Sequence, residues 1–324
     1  MAYCLGLDIG GTKCAVLLGS DKPGVDKDGF VLDRQAFATA GPAETLDKAG
    51  RIAAGMLAGR GISLEDVTGL GVSCGGPLDT ALGRIKGPPN LCGWDDVPVA
   101  NILREKLGVP VRLENDANAC ALAEWHFGAG RGNRNMIFLT FGTGLGAGLI
   151  LDGRLYAGTS GMAGEVGHLR LSAFGPVGYG KAGSFEGFCS GGGIAQLAQS
   201  MVRERHQRGE KPALCPTPEE LPLLTAKTVG DAAEAGDALA REIYTVCGEY
   251  LGRGLAVLVD ILNPEVIVLG SIFQRSEGLL RPAMERVLRQ ESLPHARNVC
   301  RVAPAGLAEA IGDYAALSLA LANR

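Results

Sequence analysis

A carboxylate, two glycines, a hydroxyl and a lysine stand close together in the segment Asp8–Lys13. Glycine has no Cβ, so a turn built from it lets backbone N–H groups approach the oxygens of a phosphate. An ordinary hairpin turn needs none of the other groups, and the combination therefore predicts a phosphate-binding loop. Asp8, at the end of an apolar run, is suited to hold a hydrated Mg²⁺. The predicted phosphate contacts are Gly10, Gly11, Thr12 and Lys13.

A second glycine turn spans Gly142–Gly148. Its spacing partly matches a dinucleotide-binding fingerprint, but that fingerprint must open a helix, whereas Leu149–Gly153 predicts a strand and a hairpin turn. We therefore expect phosphate contact through a hairpin and no dinucleotide site. The segment Gly175–Lys181 is nearly a Walker A loop, but Ala182 stands where that loop needs a hydroxyl. The residues predicted to contact phosphate in the second turn are Gly142, Thr143 and Gly144.

Asp116 lies in the polar segment Glu114–Asn118, between a predicted strand and a predicted helix. A carboxylate here can act as a general base or orient a substrate hydroxyl. It needs no large pKa shift, because positioning dominates phosphoryl transfer. Helix capping by Asn115 or Asp116 explains the same residues equally well. The residue types alone leave both interpretations open.

The glycine-rich stretch that follows contains Glu165, His168 and Glu186. Each carboxylate can accept hydrogen bonds from two hydroxyls, which is the arrangement a sugar presents. A single histidine in a loop is more often structural or merely exposed. The group predicts a site for a polyhydroxylated ligand only if the fold brings these side chains together.

Alternating strands and helices must position these residues. Apolar runs predict strands at residues 3–9, 14–18, 30–39, 67–73, 109–114, 136–141, 147–151 and 266–269. Helical spacing and capping signals predict helices at residues 42–59, 98–107, 117–127, 193–208, 276–290, 306–323, and 228–262 with a break near Gly236. A strand, a glycine turn and a second strand occur twice, at residues 3–18 and 136–151. This repetition predicts two related lobes whose glycine turns clamp a polyphosphate.

The composition limits the class of protein. Of 324 residues, 49 are glycine and 46% are hydrophobic, which favours a packed core with many special backbone positions over disorder. The net charge of −4 argues against a nucleic-acid partner, and no apolar run approaches the ~20 residues of a membrane helix. Nine scattered cysteines without a Cys-x-x-Cys pair, and no signal-peptide pattern, favour a cytoplasmic protein.

Six motifs, in this order, make the chain similar to the ROK family of sugar kinases. They are Leu7–Lys13, Gly87–Trp94, Glu114–Asn118, Phe141–Gly146, Ala163–His168 and Asn263–Ser271. The resemblance implies an α/β protein with the actin-like ATPase, ribonuclease H-like fold, in which two lobes surround a central cleft. It implies a small lobe of residues 1–117 and 303–324, with the first phosphate loop. The large lobe, residues 118–302, would carry the second phosphate loop, the sugar loops and the adenosine region.

The resemblance also implies roles for individual residues. Asp116 matches the family's catalytic base, which takes the proton from the sugar 6-hydroxyl. The glycine turns match its two phosphate loops, and Gly270 resembles a glycine near the adenosine. The implied cofactors are ATP and Mg²⁺, with the metal bound to Asp8 through water. The residues at sugar-binding positions are Gly75, Gly76, Asn115, Asp116, Glu165, His168 and Glu186.

One feature departs from the family pattern. Relatives often carry a cysteine cluster that binds zinc together with the histidine matching His168. Val177, Tyr179 and Ser184 occupy the three cysteine positions here, and Cys189 alone cannot complete a tetrahedral site. We therefore expect no structural zinc, and local order that comes from packing and hydrogen bonds instead.

The resemblance implies an ATP-dependent hexose kinase that forms a sugar 6-phosphate, with glucose favoured. N-acetylmannosamine or N-acetylglucosamine is the alternative acceptor, and fructose and allose also fit the family. Such relatives are commonly homodimers or homotetramers. A sugar-sensing transcriptional regulator without catalysis is the alternative of another class. Its helix-turn-helix domain would precede Asp8, where we expect no room for one. An actin-like ATPase switch is a further alternative, against which the motifs at Glu114–Asn118 and Gly164–His168 favour a sugar acceptor.

Overall fold

The computed structural model describes residues 3–20 and 27–321. Its strands are β1 (Tyr3–Ile9), β2 (Lys13–Ser20), β3 (Val31–Ala38), β4 (Val67–Cys74), β5 (Leu78–Asp79), β6 (Arg84–Ile85), β7 (Val111–Asn115), β8 (Met136–Leu139), β9 (Ala147–Leu151), β10 (Arg154–Leu155), β11 (Val177–Gly178), β12 (Lys181–Ala182), β13 (Val266–Leu269) and β14 (Arg301–Pro304). Its α-helices are α1 (Lys27–Phe30), α2 (Pro42–Gly59), α3 (Val99–Leu107), α4 (Asp116–Phe127), α5 (Phe185–Phe188), α6 (Gly191–Gln207), α7 (Ala226–Glu234), α8 (Ala238–Leu262), α9 (Ile272–Arg275), α10 (Glu277–Glu291), α11 (Pro294–Val299) and α12 (Ile311–Leu321). Within the described residues, no helix is long and apolar enough to cross a membrane.

The chain divides into two compact units. Unit 1 comprises Met1–Gly132, Leu155–Ala163 and Gly306–Arg324. Unit 2 comprises Asn133–Arg154 and Gly164–Ala305. These boundaries differ from the expected ones at 117/118 and 302/303 for two reasons. Helix α4 packs against α12 and therefore lies in unit 1. At the second boundary, the N–H of Ala305 donates to the carbonyl oxygen of Leu269 at 2.9 Å, which keeps the end of β14 in unit 2.

Unit 1 is built on a five-stranded sheet with the strand order β3-β2-β1-β4-β7. The pairs β1–β2 and β2–β3 are antiparallel, whereas β4 runs parallel to β1 and β7 parallel to β4. Helix α12 lies directly on β4. A Cβ at Gly71 would lie only 2.1 Å from the carbonyl oxygen of Ala316, so glycine is required for this approach. Helix α2 buries Leu46, Ala53 and Leu57 in a core shared with the sheet.

Unit 2 contains a second five-stranded sheet, with the order β10-β9-β8-β13-β14. The pair β8–β9 is antiparallel, while β13 runs parallel to both β8 and β14. Asp152 and Gly153 form the predicted turn between β9 and β10, both with positive φ, of 52° and 74°. Because the strand order repeats that of unit 1, the prediction of two related halves is confirmed.

Strand β8 ends at Leu139 rather than at Phe141 as predicted. Phe141 adopts a left-handed backbone conformation with φ of 31°, which stops the extended run. The predicted break near Gly236 is present, with φ of 101° between α7 and α8. The short elements β14 and α11 have no predicted counterpart, since neither is long enough to show periodicity.

Helix α12 begins at Ile311 rather than at Gly306 as predicted, and residues 322–323 of that prediction lie outside the described part of the chain. The reason is Glu124 of α4, whose side chain is 0% exposed. Its carboxylate accepts hydrogen bonds from the N–H groups of Ala129 (2.7 Å), Gly306 (2.9 Å) and Leu307 (2.8 Å). This segment is therefore bound to a side chain before the helix starts.

Candidate active site

The residues with predicted roles form two groups, one in each unit. Unit 1 contains Asp8, Gly10, Gly11, Thr12, Lys13, Gly75, Gly76, Asn115 and Asp116. Unit 2 contains Gly142, Thr143, Gly144, Glu165, His168, Glu186 and Gly270. Inside each unit, members that are far apart in the sequence lie close together.

The first glycine turn joins β1 to β2 as a tight hairpin. The N–H of Gly10 donates to the carbonyl oxygen of Lys13 at 3.1 Å. Thr39, just after β3, supports the turn, since its hydroxyl donates to the carbonyl oxygen of Gly10 at 2.7 Å. Thr12 and Lys13 are exposed, so their side chains are accessible to a ligand.

Gly11 lies against the backbone of Asn90. A Cβ at Gly11 would stand 2.6 Å from the carbonyl oxygen of Asn90, so no other residue fits without moving that backbone. Sequence reasoning gave Asn90 no role of its own. The only signal for it was its place in the motif Gly87–Trp94.

Asp8 stands near the end of β1, opposite Ser73 of β4. Burial, with the nearby carboxylates of Asp313 and Asp116, raises the pKa of Asp8 to about 6, against the opposing effect of Arg34. Neighbouring carboxylates disfavour each other's ionisation, and a divalent cation would relieve this repulsion. The chemistry of the group therefore fits Mg²⁺ that keeps its own water ligands. Among the described residues, no cluster of three or more carboxylate, histidine or cysteine side chains is arranged to hold a metal directly.

Asp116 is the first residue of α4, and solvent reaches it. The N–H of Ala117 donates to its Oδ1 at 2.9 Å. Desolvation by the surrounding protein raises the pKa of Asp116, and this hydrogen bond opposes the rise. A carboxylate with a raised pKa accepts a proton more readily than an ordinary one, which suits a general base.

Asn115 caps α4, because its Oδ1 accepts from the N–H of Asn118 at 2.7 Å. Capping and the presentation of Asp116 thus occur together in one turn. Glu114 was given no role from the sequence, yet it supports this turn from the buried side. Its Oε1 accepts from the N–H of Asn115 and from Nδ2 of Asn118, both at 3.0 Å.

Gly75 and Gly76 follow the end of β4 in unit 1. A Cβ built at Gly75 meets no atom within 4 Å, so this backbone borders open space. The preceding thiol, Cys74, donates to the carbonyl oxygen of Gly75 at 3.4 Å. Burial raises the pKa of Cys74 to about 12, so this thiol stays protonated and unreactive.

The second glycine turn is a hairpin between β8 and β9. The N–H of Gly142 donates to the carbonyl oxygen of Gly144 at 3.0 Å, and the N–H of Gly146 donates to the Thr140 hydroxyl at 3.0 Å. Strand β9 follows the turn and pairs antiparallel with β8, as predicted, whereas a dinucleotide fingerprint opens a helix. The segment Gly175–Lys181 enters the β11–β12 hairpin, whereas a Walker A loop leads from a strand into a helix.

Glu186 contacts the second glycine turn. Its Oε2 accepts from the N–H of Leu145 at 3.0 Å, and a Cβ at Gly144 would lie 2.8 Å from the same oxygen. A Cβ at Gly167 would lie 2.3 Å from the carbonyl oxygen of Leu145. The loop that contains Glu165 and His168 therefore packs against the turn that Glu186 binds.

Glu165 precedes a short 3-10 turn, Val166–His168, whose last residue is His168. Glu165 is exposed, and its carboxylate makes no hydrogen bond within the part of the chain that the structure describes. The ring of His168 meets the ring of Tyr179 edge to face, with centroids 5.4 Å apart. Nζ of Lys181 donates to the carbonyl oxygen of His168 at 2.7 Å.

The residues at the family's zinc positions do not fit that metal. Val177 and Tyr179 carry no suitable donor, and the hydroxyl of Ser184 is used to cap α5, accepting from the N–H of Gly187 at 3.0 Å. Cys189 is fully buried, with its thiol directed at the carbonyl oxygen of Cys247.

Unit 2 also contains a cavity of about 770 Å³ that was not assigned from the sequence. Gly142 and Thr143 lie on its wall, as do Gly191 and Gly192 at the start of α6, where the helix dipole favours an anion. Gly270 immediately precedes Ser271, another lining residue. Helices α7 and α9 reach the cavity through tertiary packing, which no spacing in the sequence indicates, although Thr225 and Thr228 form a capping box at the start of α7. The remaining polar lining includes Thr225, Lys227, Asp231, Glu234, Arg275 and Ser276.

Comparisons with known proteins show the family to which the chain is similar. The ROK family model matches residues 4–323. The glucokinase of Halalkalibacterium halodurans is 37% identical over 288 residues, covering 86% of this chain and 83% of that protein. A ROK family glucokinase from Streptomyces griseus, solved with glucose and AMPPNP, matches with a TM-score of 0.70 and 28% identity, over 98% of this chain and 99% of that chain.

The relatives also include a regulator. The DNA-binding transcriptional repressor Mlc of Escherichia coli is 34% identical over 233 residues, which cover 71% of this chain and 55% of the repressor. The structure of a ROK family transcriptional regulator, a homologue of Escherichia coli Mlc, matches with a TM-score of 0.81 and 24% identity, over 99% of this chain and 78% of that chain. The family model spans almost the whole sequence, and the chain belongs to the ROK family, with its actin-like ATPase fold.

Proposed function

We propose that this protein is an ATP-dependent hexose kinase that phosphorylates the 6-hydroxyl of glucose. The observation that carries the proposal is the position of Asp116, held by a capped turn in the same unit as Asp8 and the first glycine turn. Similarity along nearly the whole chain to a glucokinase solved with glucose and AMPPNP supports it.

Asp116 serves as the general base. Its carboxylate accepts the proton of the sugar 6-hydroxyl as that oxygen bonds to the γ-phosphorus of ATP, and the bond from phosphorus to the bridging oxygen breaks to release ADP. The raised pKa of Asp116 favours proton acceptance. Asn115 and Glu114 keep the carboxylate in place, and such positioning dominates catalysis of phosphoryl transfer.

The nucleotide is held by backbone groups. The cavity of unit 2 is large enough for a nucleoside. Gly142 and Thr143 on its wall would contact the phosphates attached to that nucleoside. The turn at Gly10–Lys13 supplies N–H groups and a lysine to the phosphates. Bound Mg²⁺ would neutralise charge on the transferring phosphoryl group, and Asp8 would hold it through water.

The sugar is bound by groups that accept or donate hydrogen bonds at fixed positions. Glu165 has an exposed carboxylate with no hydrogen bond to the described residues, and Oε2 of Glu186 accepts from the N–H of Leu145. His168 adds ring nitrogens, and Nδ2 of Asn115 makes no hydrogen bond to the described part of the chain while Oδ1 caps the helix. A Cβ at Gly75 would meet no described atom within 4 Å, and one at Gly76 would meet only the backbone nitrogen of Leu78, at 3.9 Å, so a sugar can approach this backbone.

The test of the base is Asp116→Asn. We expect kcat for glucose phosphorylation to fall by about 100-fold or more, with glucose affinity by calorimetry within about threefold of wild type. The matched control is Asp66→Asn, an exposed aspartate in the same unit. Turnover of Asp116→Asn near the wild-type rate would refute the assignment.

The acceptor is tested by coupled ADP release with a panel of sugars. We expect glucose to give the highest kcat/KM, and N-acetylmannosamine and N-acetylglucosamine are the alternatives. With 6-deoxyglucose, which lacks the acceptor hydroxyl, we expect no sugar-dependent ADP release. Sugar-independent ATP hydrolysis at the same rate as in the presence of glucose would instead indicate an ATPase switch.

A sugar sensor without catalysis is the second candidate, favoured by the similarity to the repressor Mlc. It would bind glucose and ATP without forming a sugar phosphate. Product detection by ³¹P NMR separates the two candidates, because only a kinase converts the γ-phosphate signal into a sugar-phosphate signal.

We further propose that the protein is a cytoplasmic homodimer or homotetramer. All nine cysteines are free thiols, which is consistent with a reducing compartment. Light scattering on the purified protein would give the mass of the assembly, and cell fractionation its compartment. A monomer, or a protein recovered outside the cytoplasm, would refute these two statements.

A further inference from the structure

Tyr179 has an unusual conformation for an aromatic residue. With Gly180 it forms the two-residue turn between β11 and β12, and its φ is 43°. Glycine, which has no Cβ, and asparagine, whose short polar side chain can hydrogen-bond locally, are preferred in such turns, whereas other side chains are strained at positive φ. The side chain is 82% exposed, so burial does not compensate for the strain. Stability of the fold does not explain a tyrosine here.

The side chain of Tyr179 does make one specific contact, with the ring of His168. The two rings are 5.4 Å apart between centroids, at an interplanar angle of 80°. The same hairpin holds the histidine a second time, through the hydrogen bond from Nζ of Lys181 to the His168 carbonyl oxygen at 2.7 Å. One hairpin therefore fixes both the ring and the backbone of His168.

The hairpin itself is firmly attached to unit 2. The amide of Gln196 on α6 binds both backbone groups of Val177, accepting from its N–H and donating to its carbonyl oxygen, each at 2.9 Å. At the other end, the N–H groups of Leu171 and Ser172 donate to the carbonyl oxygen of Gly183 at 2.9 Å and 3.1 Å. A support that is anchored on both sides can hold a partner in a fixed position.

We propose that Tyr179 and Lys181 are positioning residues for His168, and that they order this histidine without a metal. The proposal rests on the proposed function in one respect, because it takes His168 to bind the sugar. A ring that is already fixed loses less freedom when the ligand binds, which strengthens binding of the sugar without changing the chemical step.

The kinetic test uses Tyr179→Gly, since glycine suits the turn and the variant should fold. We expect KM for glucose to rise about two- to tenfold, the range for an edge-to-face aromatic pair, with kcat and KM for ATP unchanged. The melting temperature should equal or exceed that of wild type, because the strain is removed. Tyr179→Phe keeps the ring and should restore the wild-type KM.

The matched control is Phe174→Ala, an equally exposed aromatic residue in the same segment that makes no ring contact in the described structure. It should leave KM for glucose unchanged. A glucose KM for Tyr179→Gly equal to that of wild type, in an enzyme that does phosphorylate glucose, would overturn the proposal. Lys181→Met should raise the same KM.

A second test does not depend on activity. The chain has only four histidines, so the ring signals of His168 can be assigned by NMR in the protein without ligand. We expect them to shift and broaden in Tyr179→Gly, and to stay unchanged in wild type after treatment with a strong zinc chelator. Unchanged signals in the variant, or loss of the wild-type signals on chelation, would overturn the proposal. If no sugar is phosphorylated at all, the proposed function fails while this test still decides the role of Tyr179.

Discussion

Replacing Asp8 by asparagine should make unit 1 more stable while it abolishes metal-dependent activity. The folded protein holds the Asp8 carboxyl with a pKa of about 6, whereas the ordinary value is 3.8, because burial and the carboxylates of Asp313 and Asp116 disfavour its charge. A carboxyl group whose pKa is raised by folding favours the folded state when the group is protonated and disfavours it when the group is ionised. Stability from this source is therefore present below about pH 4 and is lost as the pH rises through about 6.

The size of the effect follows from the two pKa values. A rise from 3.8 to about 6 corresponds to about 3 kcal/mol at high pH. Asparagine stays neutral at every pH, so Asp8→Asn avoids this loss. The difference in unfolding free energy between variant and wild type should grow by about 2 kcal/mol between about pH 4.5 and pH 8, most of it below about pH 6.5.

Urea unfolding followed by tryptophan fluorescence is the appropriate assay. The chain has two tryptophans, Trp94 and Trp125, and both lie in unit 1, so the signal reports on the unit that contains Asp8. The experiment is done without nucleotide or Mg²⁺, because a bound cation would offset the repulsion. The control is Asp66→Asn, an exposed aspartate of the same unit, which should show no pH-dependent difference.

The reasoning is refuted if Asp8→Asn is less stable than wild type at about pH 8, or if the difference between them does not change with pH. Either result would mean that the Asp8 carboxyl is not disfavoured by its surroundings. In a separate measurement, addition of AMPPNP and Mg²⁺ should stabilise wild type more than Asp8→Asn. Ligand binding adds to the stability of the folded protein that binds it, and only wild type has the carboxylate that would hold the metal.

Three further predictions follow from contacts in unit 1. Gly11→Ala should raise KM for ATP about tenfold or more, because its Cβ would lie 2.6 Å from the carbonyl oxygen of Asn90, whereas Gly55→Ala, with no neighbour within 4 Å, should not. Glu124→Gln should lower the unfolding free energy measured in urea by about 1–3 kcal/mol and leave kcat unchanged. The reason is that one amide oxygen cannot accept from all three N–H groups at this site. A variant as stable as wild type would contradict this prediction. A pH profile of kcat/KM should fall below about pH 6 as Asp8 takes up a proton, and a profile that is flat down to about pH 5 would contradict this.

Local signals in the sequence were sufficient for much of the fold. The turn at Gly10 and Gly11, the cap at Asn115 and the hairpin at Asp152 depend on residues that are adjacent in the chain, so their spacing predicts them directly. The apolar periodicity of α2 predicted its bounds, and the repeated strand–turn–strand pattern predicted two related lobes.

What the sequence could not reveal depends on residues that meet only in the folded chain. The cavity of unit 2 is lined by α7 and α9 as well as by Gly142, and no spacing relates these elements. The bonds from Glu124 to Gly306 and Leu307 join positions 182 and 183 residues apart, and they displace the predicted start of α12. Tyr179 gave no signal of contact with His168, because a tyrosine in a left-handed turn is not predicted by its neighbours.

The packing of α12 on the sheet of unit 1 also has a consequence for synthesis on the ribosome. All of unit 2 precedes Gly306 in the chain, whereas the face of β4 at Gly71 is covered only when Ala316 has emerged. Unit 2 can therefore complete its core while unit 1, although begun first, still exposes apolar sheet surface. Strand β4 stays uncovered on this face until α12 has been synthesised. We therefore expect chaperones that bind nascent chains to bind the exposed sheet of unit 1.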